Sequence, residues 1–197
     1  CYPARRVEHR LASAGFRCAR VQVVPVWPAR MERVSIDEVD AVPHFMGANT
    51  HRKPLSRAIE GMGFAATYLE LDPGEAFSGG LHTHTDQEEL FVVLEGTATW
   101  ETKAEAGAEP TLTEVGPMEA IHFDADDVYQ TGRNESDGVV RGLAIGVPGS
   151  RHTWEGTRAL VDCETCGEET VFTLEGEGRM PDIEEMTIAC TECGSEP

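Results

Sequence analysis

The chain has 197 residues, 40% of them apolar, which is enough for one domain or two small ones with packed cores. No apolar run approaches the roughly 20 residues of a membrane-spanning helix, and the first residues lack the apolar stretch of a secretory signal. We therefore expect a cytoplasmic protein without a membrane partner. Asp and Glu number 35 against 16 Lys and Arg, and this net charge of −19 disfavours binding to nucleic acid.

The same acidity is typical of proteins from halophiles, and the amino-acid balance favours a haloarchaeal origin. The acidic residues are spread through the body of the chain rather than gathered in a tail. Concentrated salt shortens the screening length to about 3 Å at 1 M and so removes the repulsion between them. The alternative is an ordinary acidic cytosolic protein.

The first 30 residues differ in charge from the rest. They carry six arginines against one acidic residue, Glu8, a net charge of +5, whereas the remainder carries −24. They begin with Cys1, contain a stray Cys18 and show no sustained hydrophobic period. We interpret residues 1–30 as a basic extension without a native fold, of vector-derived or misassigned origin. The alternative is a basic arm that pairs with an acidic partner.

Residues 31–156 are typical of a β-rich domain, because short alternating or apolar runs are separated by Gly, Pro, Asn and Asp. The only predicted helical turn lies near residues 54–60, and residues 103–110 are predicted to form a solvated hairpin loop. Many short strands with regular turns predict an all-β sandwich or barrel. The predicted strands are 64–71, 90–102, 111–115, 119–123 and 139–147.

The most informative stretch, residues 73–96, contains two histidines and a glutamate. His82 and His84 stand two apart, so on a strand both side chains point to the same face. A second strand starts near Glu89, and if the two strands pair antiparallel, its carboxylate lies beside both imidazoles. Two imidazoles and one carboxylate suit Fe(II) and accept Mn, Ni, Co or Zn. The alternative is a pair of exposed histidines at a strand edge.

The segment HTHTDQEELFVVLEG resembles the first motif of the cupin superfamily, which reads His-x-His, four residues, Glu, six residues, Gly. The four motif positions are occupied by His82, His84, Glu89 and Gly96. The resemblance covers roughly residues 60–147. It implies a double-stranded β-helix, or jelly-roll barrel, that holds a divalent transition metal inside.

The second motif of that family matches only in part. A glycine turn and a strand fit its beginning and Asn134 fits its end, but Asp124 stands where a proline is expected. Counting forward from Asp124 places Tyr129 at the histidine position, whereas counting back from Asn134 places Gln130 there. The fourth metal ligand is therefore Gln130, Tyr129, the nearby His122, or water.

Four cysteines near the end of the chain form two C-x-x-C-G knuckles, Cys163/Cys166 and Cys190/Cys193. Each knuckle places two thiolates within reach of one ion, and the glycine permits a left-handed turn whose N–H groups face the sulfurs. The pattern resembles a zinc ribbon over residues 160–197, with structural zinc bound by all four cysteines. The alternative, disulfides or redox pairs, is disfavoured in an intracellular setting.

Two apolar runs between the knuckles, 170–174 and 186–190, predict strands that pair and bring the knuckles together. The segment has few other apolar residues, so we expect zinc to supply much of its stability. Residues 162–197 hold 11 acidic residues and one base, Arg179, which again disfavours a nucleic-acid partner.

Together these patterns predict a cupin-like barrel at residues 31–156, a link near 148–159 and a zinc ribbon. The open metal site favours an enzyme acting on a small polar molecule, and the resemblance to cupins implies oxidation or isomerisation as its possible reactions. The alternative is a non-catalytic small-molecule sensor or a protein-interaction module. Strand 90–94 is apolar on both faces, so a second sheet or a partner chain should cover its outer face, and we expect a homodimer.

Overall fold

The structure is a computed structural model that describes residues 31–150, 156–176 and 187–197. Contacts divide the chain into two units, Cys1–Met31 and Glu32–Pro197, and the described residues belong to the second apart from Met31. Residues 1–30, interpreted above as an extension, lie outside the described residues. The middle of the predicted link lies outside them as well. Among the described residues, no helix has the length and apolar character needed to span a membrane.

Alternation of apolar and polar residues produces most of the strands in the described ranges. The strand EELFVVLE is an exception, because residues 90–94 are apolar on both faces, yet only every second side chain from Glu89 to Val93 is buried. The chain also contains a 3-10 turn at Ile36–Glu38 and one short helix, α1, at Leu55–Ala58. The strands are β1 (His51–Pro54), β2 (Ala65–Leu71), β3 (His82–His84), β4 (Glu88–Glu95), β5 (Ala98–Lys103), β6 (Thr111–Val115), β7 (Glu119–Phe123), β8 (Tyr129–Arg133), β9 (Val140–Val147), β10 (Thr157–Cys163), β11 (Glu168–Glu175) and β12 (Thr187–Cys190).

The strands form two antiparallel sheets. One has the order β1-β2-β9-β4-β7 and the other the order β12-β11-β10-β3-β8-β5-β6. The inward side chains of both sheets make one hydrophobic core around Trp100, which is completely buried. Phe77 and Phe91 pack against the Trp100 ring with centroids at 4.9 and 5.4 Å. This arrangement confirms the predicted all-β barrel fold.

Several predicted elements are confirmed with small shifts of their ends. Strands 111–115 and 119–123 have the predicted bounds, and the helical turn appears as α1. The loop between β5 and β6 occupies most of the predicted hairpin loop.

The prediction of one continuous strand at 90–102 is wrong, because the chain turns between β4 and β5. Gly96 adopts a φ of 77°, a backbone angle that residues other than glycine rarely adopt. A Cβ atom at Gly96 would also lie 2.7 Å from the carbonyl oxygen of Val139. β4 and β5 therefore belong to different sheets, and the motif glycine is the point at which the chain crosses between them.

Three strands were not predicted: β1, β8 and β10. β1 (HRKP) and β8 (YQTGR) lack the apolar alternation that signals a strand. They are strands because β1 pairs with β2 and because β8 lies between β3 and β5. Tertiary pairing, rather than local sequence, decides their conformation.

The cysteine-bearing strands extend the second sheet of the barrel. β10 begins at Thr157, within the predicted link, and pairs with β3 so that Thr157 lies opposite His84. β11 and β12 follow as the next two strands, which confirms the two strands predicted between the knuckles. The predicted boundary at residue 160 stays a prediction.

Candidate metal centre and its cavity

Three predicted metal ligands meet inside the barrel. His82 and His84 lie on β3 and Glu89 lies on β4, and their ligand atoms lie within 4.8 Å of one another. The expected pairing of these two strands is wrong: β3 pairs with β8 and β10, whereas β4 pairs with β7 and β9. Between them the chain passes from one sheet to the other, so Glu89 reaches the histidines across the barrel rather than along a hairpin.

The distances suit one shared ion. His82 Nε2 lies 3.6 Å from Glu89 Oε2, and His84 Nε2 lies 3.8 Å from Glu89 Oε1. The two imidazole rings are nearly perpendicular, with centroids 5.0 Å apart. His84 and Glu89 are buried and His82 is nearly so. The two ring nitrogens and the carboxylate therefore converge on one small volume.

The other nitrogen of each imidazole is held by the surrounding structure. His82 Nδ1 donates to the carbonyl oxygen of Gly80 at 3.0 Å, and since a carbonyl can only accept, Nε2 of the neutral ring carries a lone pair. His84 Nδ1 shares a hydrogen bond of 3.1 Å with the hydroxyl of Thr157. Such contacts at the remote nitrogen are the usual support of metal-binding histidines.

Gln130 lies beside this group. It pairs with His82 in the β3–β8 register and is 2% exposed. Its Nε2 donates to Glu89 Oε2 at 2.8 Å, while its buried Oε1 has no hydrogen-bond partner among the described residues. A buried carbonyl oxygen without a partner is costly unless an ion or a ligand satisfies it.

The other candidates for the fourth ligand lie elsewhere. Tyr129 neighbours Gln130 on β8, so its side chain points to the opposite face of the sheet. His122 lies on the outer face of β7 and shares a hydrogen bond of 2.9 Å with Glu88. Both His122 and Glu88 are about half exposed. Of the residues considered, Gln130 is the one that the fold brings to the three ligands.

A cavity of about 230 Å³ adjoins the three ligands. Its walls combine both sheets with the segment before β1. The polar lining residues are His44, Arg52, Thr67, Ser78, His82, His84, Glu89 and Thr157, and the apolar ones include Phe45, Met46, Leu69, Phe77, Phe91, Leu160 and Leu174.

Sequence analysis did not identify His44 or Arg52 as site residues. His44 precedes β1, and its Nδ1 accepts a hydrogen bond of 3.2 Å from the backbone N–H of Met46. Burial, together with the charge of Arg52, lowers the pKa of His44 to about 4, so the ring is neutral at physiological pH. No motif signals either residue, since both lie about 30 residues or more before the ligands.

The four knuckle cysteines form a second cluster. All four are free thiols, and their sulfurs lie within 4.8 Å of one another. Cys163 Sγ lies 3.6 Å from Cys193 Sγ, and Cys166 Sγ lies 3.9 Å from Cys190 Sγ. The expected left-handed turns are present, because the glycine after each knuckle has a φ of 75° or 74°.

Hydrogen bonds favour the thiolate form of two of these cysteines. The hydroxyl of Ser195 and the backbone N–H of Cys166 lower the pKa of Cys163 to about 6. The hydroxyl of Thr170, 3.3 Å from Cys190 Sγ, lowers the pKa of that thiol as well. Since metals bind the thiolate form, the surroundings of Cys163 and Cys190 suit metal binding.

The cysteine strands also contact the barrel through side chains, in addition to the backbone pairing of β10 with β3. Lys103, at the end of β5, makes an ion pair with Glu169 on β11 at 2.9 Å. Glu169 also accepts a hydrogen bond of 2.8 Å from the backbone N–H of Gly107. Burial opposes ionisation of Glu169, but these two donors outweigh it and lower its pKa. The hairpin bearing the cysteines is therefore held at both its sheet edge and its outer end.

Comparison with known proteins agrees with this architecture. Residues 67–146 match the family model described as Cupin domain. A solved structure from Silicibacter pomeroyi, described as a sugar phosphate isomerase from a cupin superfamily, is 17% identical with a TM-score of 0.56, covering 83% of this chain and 95% of that one.

A second solved structure, from Acidithiobacillus ferrooxidans, is 15% identical with a TM-score of 0.52, covering 78% of this chain and 85% of the other. That protein is described provisionally as a sugar phosphate isomerase. A search of the curated proteins found no match. At these identities the likeness shows the fold alone, and the match to the Cupin domain model is confined to residues 67–146.

Proposed function

We propose that this protein binds a divalent transition metal through His82, His84 and Glu89 and acts as a metal-dependent enzyme on a small polar molecule in the adjoining cavity. Oxidation and isomerisation are the reaction classes that we propose for this site. The small-molecule ligand would enter beside the metal, at positions that the protein ligands leave open.

The observation that carries this proposal is the orientation of the two histidines. The Nδ1 atom of each ring is engaged, by Gly80 or by Thr157, and each Nε2 faces the same carboxylate. Two histidines and one carboxylate with room for further ligands suit Fe(II), and also Mn, Ni, Co or Zn.

The partnerless Oε1 of Gln130 fits the same assignment. It would bind the ion directly or a water on it, while the amide N–H orients Glu89. A metal held there would supply Lewis-acid or redox chemistry. The buried protein groups would hold its ligands in place and exclude solvent.

Elemental analysis of the full chain tests the proposal. His82→Ala should remove one equivalent of labile metal together with any turnover, whereas His122→Ala, on the outer surface, should leave both unchanged. A mild chelator should strip this metal before any metal held by the four cysteines, because two imidazoles and a carboxylate hold an ion less tightly than four thiolates. Wild-type protein that takes up no metal at these residues would overturn the proposal.

A second candidate function, non-catalytic sensing of a small molecule, is favoured by Gln130 itself. An amide oxygen is a weaker metal ligand than an imidazole, so the site could hold metal too loosely for turnover. A protein that binds its ligand equally well with and without metal, and that never turns it over, would favour this alternative.

We further propose that Cys163, Cys166, Cys190 and Cys193 bind a structural zinc ion. With Zn–S bonds of about 2.3 Å, a tetrahedral site has sulfurs roughly 3.8 Å apart. The two separations of 3.6 and 3.9 Å support this geometry. Four protein ligands leave no open position, so a zinc ion there would stabilise the fold rather than take part in chemistry.

The proposed homodimer would use the outer face of the first sheet. Leu90 lies opposite Ile145 and Val92 opposite Leu143, and all four are only partly buried by the described residues. Leu94 continues this apolar strip and is 38% exposed. Such a face is typical of a surface that pairs with a second copy.

Sedimentation measurements test the dimer. Val92→Glu should shift the protein to a monomer, whereas Leu112→Glu, at an exposed position of the other sheet, should not. A wild-type protein that is monomeric at all concentrations would refute the pairing.

A further inference from the structure

Arg52 faces the cavity from the edge of the first sheet. In the β1–β2 register it lies opposite Leu69, a core residue that is 1% exposed, whereas its neighbour Lys53 lies opposite Tyr68. Directly opposed residues share a face of the sheet. Arg52 is therefore on the inner face and lines the cavity, while Lys53 is on the outer face.

The guanidinium of Arg52 has no hydrogen-bond or ion-pair partner within residues 31–150, 156–176 and 187–197. Burial lowers its pKa, and the nearby positive charge of Arg57 lowers it further. An arginine nevertheless stays cationic, and a partly buried cation without a counter-ion is unfavourable. By contrast, Arg141 on the outer face is paired with both Glu70 and Glu95.

The other groups around the cavity do not supply the missing negative charge. Glu89 is the only carboxylate among the described residues that line it, and this carboxylate is engaged by His82 and His84. His44 is neutral, because burial and the charge of Arg52 lower its pKa. With a divalent metal at the proposed centre, the cavity would carry an excess of about two positive charges.

From this arrangement we infer that the cavity takes a small organic anion whose carboxylate or phosphate group is bound by Arg52. The inference rests on the proposed function and names its substrate class. The guanidinium offers paired donors that match two oxygens of either group. The anionic end would lie near Arg52 and His44, and the rest of the molecule would extend toward the histidines and Glu89.

Calorimetric titration of the full, metal-loaded chain tests this inference with two matched pairs of probes. Lactate is compared with 1,2-propanediol, and glycerol 3-phosphate with glycerol, so that each anion has a neutral partner with the same three-carbon skeleton. The two pairs distinguish a carboxylate site from a phosphate site. Arg52→Gln removes the positive charge, and Arg52→Lys keeps the charge but lacks the paired donors of the guanidinium. Arg141→Gln is the control, because it makes the same change in net charge outside the cavity.

We expect at least one anion to bind more tightly than its neutral partner. Arg52→Gln should weaken that binding roughly tenfold or more, Arg52→Lys should weaken it less, and Arg141→Gln should leave it unchanged. The thermal midpoint of Arg52→Gln should not fall, because the substitution removes an uncompensated cation. Equal binding of the neutral probes, absence of anion binding, or an unaffected Arg52→Gln variant would each overturn the inference.

Metal content, measured on the same samples, separates this inference from the proposed function. Arg52→Gln should retain the full metal content while losing the anion. If wild-type protein holds no metal but its anion binding still depends on Arg52, the metal proposal fails and the anion site stands. If metal is held and Arg52→Gln does not affect binding, the anion site fails and the metal proposal stands.

Discussion

The histidine–glutamate site and the cysteine cluster are assembled in opposite ways. The first takes its residues from β3, β4 and β8, which belong to two different sheets, and it opens onto a cavity. The second takes its residues from two short knuckles at the ends of neighbouring strands and is closed by four sulfurs. A local turn thus suffices for one site, whereas the other exists only once the barrel has closed.

The two sites are nevertheless joined by one strand. β10 carries Thr157 beside His84 at one end and Cys163 at the other. Leu160 of β10 and Leu174 of β11 also line the cavity. The segment predicted as a separate ribbon therefore forms one wall of the proposed ligand site.

Serine at both Cys163 and Cys190 should have the largest effect, because it removes one thiolate from each knuckle. Structural zinc in small modules contributes about 10 kcal/mol of folding free energy. We expect the loss of one tightly held zinc by elemental analysis and rapid proteolysis of residues 157–197. Cys18→Ser, outside the quartet, is the matched control, and an unchanged zinc count in the double variant would contradict the assignment.

Thr157→Val tests whether the cysteine strands support the barrel site. The substitution keeps the side-chain shape but removes the hydroxyl that holds His84 Nδ1. Loss of such a contact weakens metal binding by about 10- to 100-fold in comparable sites. Competition with a metal indicator measures this change.

Thr102→Val, on β5, provides the control for Thr157→Val, because its hydroxyl bonds only the backbone of the neighbouring strand at 3.4 Å. If both variants bind the barrel metal like the wild type, the two regions are energetically independent despite the shared strand.

Gln130→Ala should weaken the barrel metal less than His82→Ala does, since water can replace an amide oxygen. Gln130→His should bind the metal more tightly, because it supplies an imidazole at a position where the structure has an unsatisfied oxygen. The same indicator competition gives both affinities. A Gln130→Ala variant as weak as His82→Ala would show that the amide is a full ligand.

Salt should change the stability of the protein less than any of these substitutions. It should stabilise mainly the cysteine region, because residues 162–197 hold 11 acidic residues and one base. Screening at molar KCl shortens the range of their repulsion to about 3 Å. The thermal midpoint should therefore rise by a few degrees, and proteolysis of residues 157–197 should slow. A flat response to KCl would indicate an ordinary acidic protein instead of a halophilic one.

The parts of the molecule that could be predicted are those with local signals. β6 and β7 have the predicted bounds because their sequences carry a strand pattern between clear turn residues. Both knuckles were found from spacing alone, since two residues between cysteines already place their sulfurs near each other.

Elements without local signals were missed. β1 and β8 have no apolar alternation, yet they bring Arg52 and Gln130 to the site. The predicted pairing of the strands bearing His84 and Glu89 failed because proximity in sequence does not show that the chain passes to the opposite sheet after residue 84.

The sequence by itself therefore determined the chemistry: His82, His84 and Glu89 as one donor set, the four cysteines as another, and an all-β chain to carry them. Only the tertiary structure decided that Glu89 faces the histidines across the barrel, that Gln130 rather than His122 lies beside them, and that the cysteine strands wall the cavity. The reason is that residue types and short spacings are local features of the sequence, whereas strand order and sheet packing arise from contacts between distant segments.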